Sequence, residues 1–226
     1  MIAPAFQPGT FRFLKDLATN NSRDWFDRNK ADYQRLVKKP ADAIRAGLAD
    51  ALGDLTGCAI ASKQFRINRD LRFSRDKTPY NTHIRMAFWP ASAAFEGKDA
   101  QPPGFFLSIE PDHIRLGTGC MAFSTPVLGA YLTALEAGRG GEVTKMLDAA
   151  GSRGFKVSDP DLVKVPRGFP KDHPHADLAR HKGLAVWRDL PDTGTVQDET
   201  AIATLVKVWT PALPVWRYLY NLQEKT

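Results

Sequence analysis

Four arginines recur at every third position in Phe65-Arg66-Ile67-Asn68-Arg69-Asp70-Leu71-Arg72-Phe73-Ser74-Arg75-Asp76-Lys77-Thr78-Pro79-Tyr80. A guanidinium is a planar fork of donors that matches phosphate and carboxylate, a geometry lysine lacks. On a strand this spacing pairs Arg66 with Arg72 and Arg69 with Arg75 on opposite faces; on a helix it drifts around one side. Phe65, Ile67, Leu71 and Phe73 are interleaved and favour burial, which draws some arginines toward the core, where each needs a partner. One reading is an anion site in which Arg66, Arg69, Arg72 and Arg75 converge, with Lys77 and Tyr80 on its rim. The competing reading is internal pairing with Asp70, Asp76 and Glu110.

Two further groups bear on that site. Trp25, Asn29 and Tyr33 fall at i, i+4 and i+8, hence on one helix face. They form either a core stripe with one satisfied amide, or a wall that adds Asn29 and Tyr33 to the arginine cleft, with Arg23 or Lys30 adding charge. His83 shares a strand face with Arg85 and is the candidate general acid or base beside a bound phosphate. Glu110 is its best-placed carboxylate partner, given the right register of the neighbouring strand. His173-Pro174-His175, followed by His181, superficially suggests metal ligands, but a short helix opened by Pro174 would point His173 and His175 in different directions. No metal or cofactor is expected. Gly117-Thr118-Gly119 lacks the context of a phosphate loop, and neither Cys58 nor Cys120 qualifies as a nucleophile.

The charge distribution supports the emphasis on arginines. The 226 residues carry a formal net charge of +6. Seven bases against two acids between Ala61 and Pro90 account for most of it. A nucleic-acid coat protein spreads its excess more widely or carries a basic tail. With 43% hydrophobic residues the chain is an ordinary globular one, neither disordered nor collagen-like. No apolar run approaches the ~18 residues of a membrane span. The first eight residues lack a secretory pattern, and two distant cysteines suit a reducing compartment, so a cytoplasmic protein is expected.

The elements that must position these residues follow from periodicity. Thr10 is expected to cap a first helix bearing Phe11, Leu14 and Leu17, ended by Asn20-Asn21. Ser22 caps a second, and Pro40 should bend the chain at Lys38-Lys39 before a third helix bearing Ile44, Leu48, Leu52 and Leu55. Alternation in His83–Trp89, Gly104–Glu110 and His113–Gly119 predicts a three-strand antiparallel meander, with Pro90–Pro103 as its surface loop. Ser124-Thr125-Pro126 opens another helix, Gly138 stops it, and Gly140–Ala150 is a further one. Gly154–Val157 and Leu184–Leu190 are further strands. A capping signal at Thr195 and Asp198 opens a last helical region through Ile202, Leu205 and Trp209, kinked at Pro211 and Pro214. Helices before and after a strand block predict an α+β class: one domain spanning 1–226, an antiparallel sheet packed by N-terminal and C-terminal helices.

These residues carry a family resemblance. Asn20-Asn21-Ser22-Arg23-Asp24-Trp25-Phe26, Asn29-Lys30 and Tyr33, the arginine segment with His83, Lys164-Val165-Pro166-Arg167-Gly168-Phe169, His173-Pro174, and Leu213 with Trp216 resemble domain-of-unknown-function family 2461. The resemblance implies a bacterial and fungal family of single-domain soluble proteins, with no activity or catalytic residue to carry over. The expected function is binding of a phosphorylated or otherwise anionic small molecule, with or without turnover. The alternatives are nucleic-acid binding through the same patch, or docking of an acidic protein partner.

Overall fold

The computed structural model describes residues 5–92 and 102–224. The chain is α+β, with one six-stranded antiparallel sheet and helices at both ends. The strands are β1 (Ile60–Gln64), β2 (Ile84–Pro90), β3 (Gly104–Ile109), β4 (Ile114–Cys120), β5 (Lys156–Val157) and β6 (Leu184–Leu190). Their order is β1-β2-β3-β4-β6-β5, so the meander expected from alternation forms the middle of the sheet. The expected surface loop Pro90–Pro103 lies largely outside the described residues. The chain divides into two compact units. One comprises Met1–Phe88, Phe106–Leu116 and Asp189–Val208; the other comprises Trp89–Phe105, Gly117–Arg188 and Trp209–Thr226.

The first unit holds the arginine segment. Its N-terminal helices are α1 (Pro8–Thr19), α2 (Arg23–Arg28), α3 (Lys30–Asp32) and α4 (Lys39–Thr56). α1 begins two residues before the expected Thr10 cap, because Pro8 suits the first turn, where no N–H is needed. Thr10 instead sits fully buried and donates through Oγ1 to the Leu36 carbonyl at 2.6 Å. That carbonyl lies four residues before Pro40, which has no N–H to return to it. The chain does not bend and restart at Lys38-Lys39. A widened π turn, Tyr33–Lys38, carries it into α4, with the Lys39 N–H bonded to the Gln34 carbonyl. A proline can thus sit inside an otherwise helical run, with the hydroxyl of a neighbouring helix completing the hydrogen bonding. Ile44, Leu48 and Leu52 are fully buried, as their spacing predicts, and Gly57 closes α4 in the left-handed region at φ 79°.

The second unit is built on aromatic packing. Phe105 lies between Trp209 and Trp216, with centroids 5.8 and 5.7 Å away. Both indole N–H groups donate to buried carbonyls, Trp209 to Gly117 at 3.0 Å and Trp216 to Pro103 at 3.2 Å. Its helices are α5 (Thr125–Ala134), α6 (Gly140–Gly151) and α8 (Leu213–Glu224). α5 starts where Ser124-Thr125-Pro126 places it, and Gly138, at φ 83°, breaks the chain before α6. In the first unit, which holds all of α7 (Ala201–Trp209) but its last residue, this helix begins later than the Thr195 signal implies, because Thr193–Val196 closes a separate 3-10 turn. No described helix is long and apolar enough to cross a membrane.

The junction of α1 with the π turn generates a test. Thr10→Val leaves the part-buried Leu36 carbonyl without this donor and should cost about 1 kcal/mol or more in urea denaturation. In a Pro40→Ala background, where residue 40 regains an N–H, the same change should cost clearly less. Equal costs in both backgrounds would contradict the compensation described.

Candidate functional site

Residues 65–83, between β1 and β2, form neither a strand nor a helix. Ordinary connections stay under ~12–15 residues, and longer ones without secondary structure are commonly functional. The base of the loop is a short antiparallel bridge between Asn68 and Tyr80. The Arg69 N–H donates to the Pro79 carbonyl at 2.9 Å, and the Asn81 N–H to the Ile67 carbonyl at 2.7 Å. Ile67 and Tyr80 are buried and anchor the two arms. Tyr80 stacks on Phe26 of α2 at 4.1 Å. Asn21, just after α1, clamps the Tyr80 backbone from both sides, donating to its carbonyl at 2.9 Å and accepting from its N–H at 3.1 Å. The residue type that ends α1 therefore also fixes the loop.

The arginines do not converge as a set of four. Arg69 turns into its own loop, where its guanidinium bonds Asp76, Thr78 and, at 3.3 Å, Ser74. Asp76 is drawn down to about 2, chiefly by the Thr78 N–H and then by Arg69. Arg72 forks onto Asp70 at 2.6–3.2 Å in solvent. Asp70 is lowered by that fork in turn. Internal pairing thus takes up Arg69 and Arg72. Arg75 is exposed and lines neither of the two clefts beside the loop, while Lys77 donates to the Leu71 carbonyl at 3.0 Å. Burial of the interleaved apolar residues is not general either. Ile67 is buried, but Phe65 is 48% and Phe73 95% exposed, with Arg72 lying over the Phe73 ring at 5.9 Å. An irregular loop escapes the face alternation that would have driven these residues inward.

Arg66 and Arg85 behave differently. Neither guanidinium has an ion-pair or hydrogen-bond partner among the described residues, and both are exposed. They line one cleft of about 450 Å³ together with Arg69, Asn68, Asn81 and His83, where Asp70 is the sole carboxylate. Sequence reasoning noted Arg85 only as a neighbour of His83. Its signal was its position two residues after His83, which returns it to the same face.

His83 immediately precedes β2 and is largely enclosed, with 18% of its side chain exposed. Its Nδ1 lies 3.6 Å from Glu110 Oε2, so the register required of the neighbouring strand is met. Glu110 is held in turn by Ser108, two residues earlier on the same strand face, whose hydroxyl donates to Oε1 at 2.6 Å. Burial first, and the Arg85 charge second, push the His83 pKa below its ordinary 6.5; Glu110 pulls the other way and Arg69 adds to the lowering. At neutral pH the imidazole is therefore neutral and able to accept a proton.

A second cleft, of about 480 Å³, shares Phe65, Arg66 and Asn68 with the first. Tyr33, Lys30 and Tyr80 line it, so the π turn and α3 do reach the arginine loop. Asn29 does not. Its amide donates to the Trp25 carbonyl at 2.8 Å, the satisfied-amide alternative for that residue. His173 and His175 face each other across 5.7 Å rather than diverging, because Pro174 starts a series of turns, not a helix. No group of three or more His, Cys, Asp or Glu among the described residues is placed to hold a metal ion. Burial raises the Cys120 thiol to about 11, which makes it a poor nucleophile.

An α+β chain with a long arginine loop beside a histidine–glutamate pair is the class that fold and site define. The chain belongs to the family described as conserved hypothetical protein (DUF2461), which matches residues 9–218. A comparison with curated proteins finds no match.

The His83 environment has a signed consequence. Its folded-state pKa lies below the ordinary value, so its contribution to stability is present above pH ~6.5 and lost as pH falls below it. In an imidazole NMR titration, Glu110→Gln should lower the His83 midpoint further, and Arg85→Gln should raise it. Midpoints that ignore both substitutions would contradict this electrostatic description.

Proposed function

We propose that the first unit binds a phosphorylated or otherwise anionic small molecule in the cleft of Arg66, Arg85 and His83. The observation that carries this reading is the pair of guanidiniums with no ion pair or hydrogen bond among the described residues, in a cleft with three arginines and one carboxylate. Structural arginines find partners within the protein, as Arg69 and Arg72 do. Two that find none, beside a largely enclosed and uncharged histidine, suit an anion that arrives from solution. In this reading Arg66 and Arg85 hold the anion through charge-assisted hydrogen bonds. Arg69 adds charge from the wall while its loop contacts fix its position. If the ligand is turned over, the arginines stabilise developing negative charge and His83 moves the proton, with Glu110 orienting the ring through Nδ1. Lys77 and Tyr80 take no part at the anion in this arrangement.

One observation favours nucleic acid as a second reading. The loop tip presents Phe73 almost fully exposed next to Arg72, Arg75 and Lys77, a stacking face among cations. Salt separates the two. A strand touching many phosphates gives a steep dependence of affinity on ionic strength, and a single anion gives a shallow one.

Thermal shift with inorganic phosphate, sugar phosphates, nucleotides and a single-stranded oligonucleotide tests the proposal. A ligand at 100 times its dissociation constant should add about 2.7 kcal/mol to wild type. Arg66→Ala/Arg85→Ala should melt like wild type without ligand, since neither guanidinium is bonded among the described residues, and should lose the ligand effect. Stabilisation that survives in the variant, or that no small anion produces in wild type, would overturn the proposal.

A further inference from the structure

We infer that the anion is the phosphate of a nucleotide, whose base occupies the second cleft. This rests on the anion reading of the first cleft and names the chemistry of the rest of the molecule.

Three features of the second cleft carry the inference. The first is the shared wall. Phe65, Arg66 and Asn68 line both clefts, so a ligand whose phosphate meets Arg66 on one side has its organic part beside the other. The Phe65 N–H bonds the Arg85 carbonyl at 2.9 Å, which ties this wall to the second unpaired arginine.

The second feature is the exposed ring of Phe65. A large apolar side chain left 48% exposed on the wall of a cleft is a platform for a planar group. Lys63 lies 5.4 Å from the ring centroid, so the ring already accepts a cation. Phe26, Tyr33 and Tyr80 also line it, but all three are buried, with both tyrosine rings packed on Phe26, which leaves Phe65 as the exposed aromatic surface of this cleft.

The third is an orphan polar atom. Gln64 lines the second cleft, and its Oε1 is buried without a hydrogen-bond partner among the described residues. A buried acceptor left unpaired is costly and uncommon, and a ligand N–H beside it removes that cost. A sugar phosphate has no flat face for Phe65, and a plain aromatic phosphate has no N–H for Gln64. A nitrogen heterocycle joined to a phosphate through a sugar supplies both, and two adjoining clefts of about 450 and 480 Å³ accommodate its two ends.

Isothermal titration calorimetry with inorganic phosphate, ribose 5-phosphate and the common nucleoside 5′-monophosphates tests this. At least one nucleotide should bind about tenfold or more tightly than ribose 5-phosphate, the margin expected of one aromatic stack. Phe65→Ala should erase that margin and leave the affinity for ribose 5-phosphate in place. Gln64→Leu should reduce it for the preferred base. Phe65 is exposed, so its variant reports on binding even if the Gln64 variant folds poorly. Equal affinity for ribose 5-phosphate and every nucleotide, or a margin that survives Phe65→Ala, would overturn the inference and leave the anion reading standing. Binding of none of these probes by wild type would overturn both.

Discussion

The loop from Phe65 to His83 depends on Arg69. Without a ladder of its own, a connection of this length is held by a few contacts, and Arg69 makes the central ones by bonding Asp76, Thr78 and Ser74 at once. The depressed Asp76 carboxyl is the electrostatic trace of that clasp. Asn21 completes the restraint from outside, through both backbone groups of Tyr80. Because Arg69 is engaged in holding the loop, the cleft arginines left without an ion pair or hydrogen bond among the described residues are Arg66 and Arg85. Arg66 extends from the foot of the loop, two residues after β1, and Arg85 from β2.

Glu110 plays a similar organising role at His83. Held by Ser108, it stands next to the His83 ring and opposes the combined effect of burial and two arginines. The result is a histidine neutral at physiological pH yet close to cationic groups, a combination useful beside a phosphate that must gain or lose a proton. The cleft thus combines fixed positive charge from Arg66 and Arg85 with an uncharged imidazole held beside Glu110.

Much of this architecture was legible in the sequence. The Ile44-Leu48-Leu52 stripe and the alternation from Ile84 to Gly119 are repeating signals in which each residue supports the next. Helix α4 and the meander follow them closely. The arginine segment was also conspicuous, but its composition says only that charge is concentrated. Which arginine meets which acid depends on how an irregular chain folds back, and no periodicity encodes that. Asp70 and Asp76 lie close in sequence and were named as competing partners; the loop geometry selects them for Arg72 and Arg69. The placement of Gln64, Phe65 and Arg85 on the clefts was hidden for a related reason. Each lies near the end of a strand, where burial and partners are set by the neighbouring element rather than by its own pattern. The π turn was hidden too, since a proline reads as a break unless the Thr10 hydroxyl from another helix is known to stand beside it.

The most direct measurement of the central claim is a crystal soaked in tungstate, a heavy-atom stand-in for phosphate, with anomalous scattering locating the ion. The account predicts tungstate bound between Arg66 and Arg85 beside His83, with Arg69 still bonded to Asp76. Arginines 66 and 85 free of tungstate, with the anion at the Phe73 tip or nowhere on the loop, would contradict it.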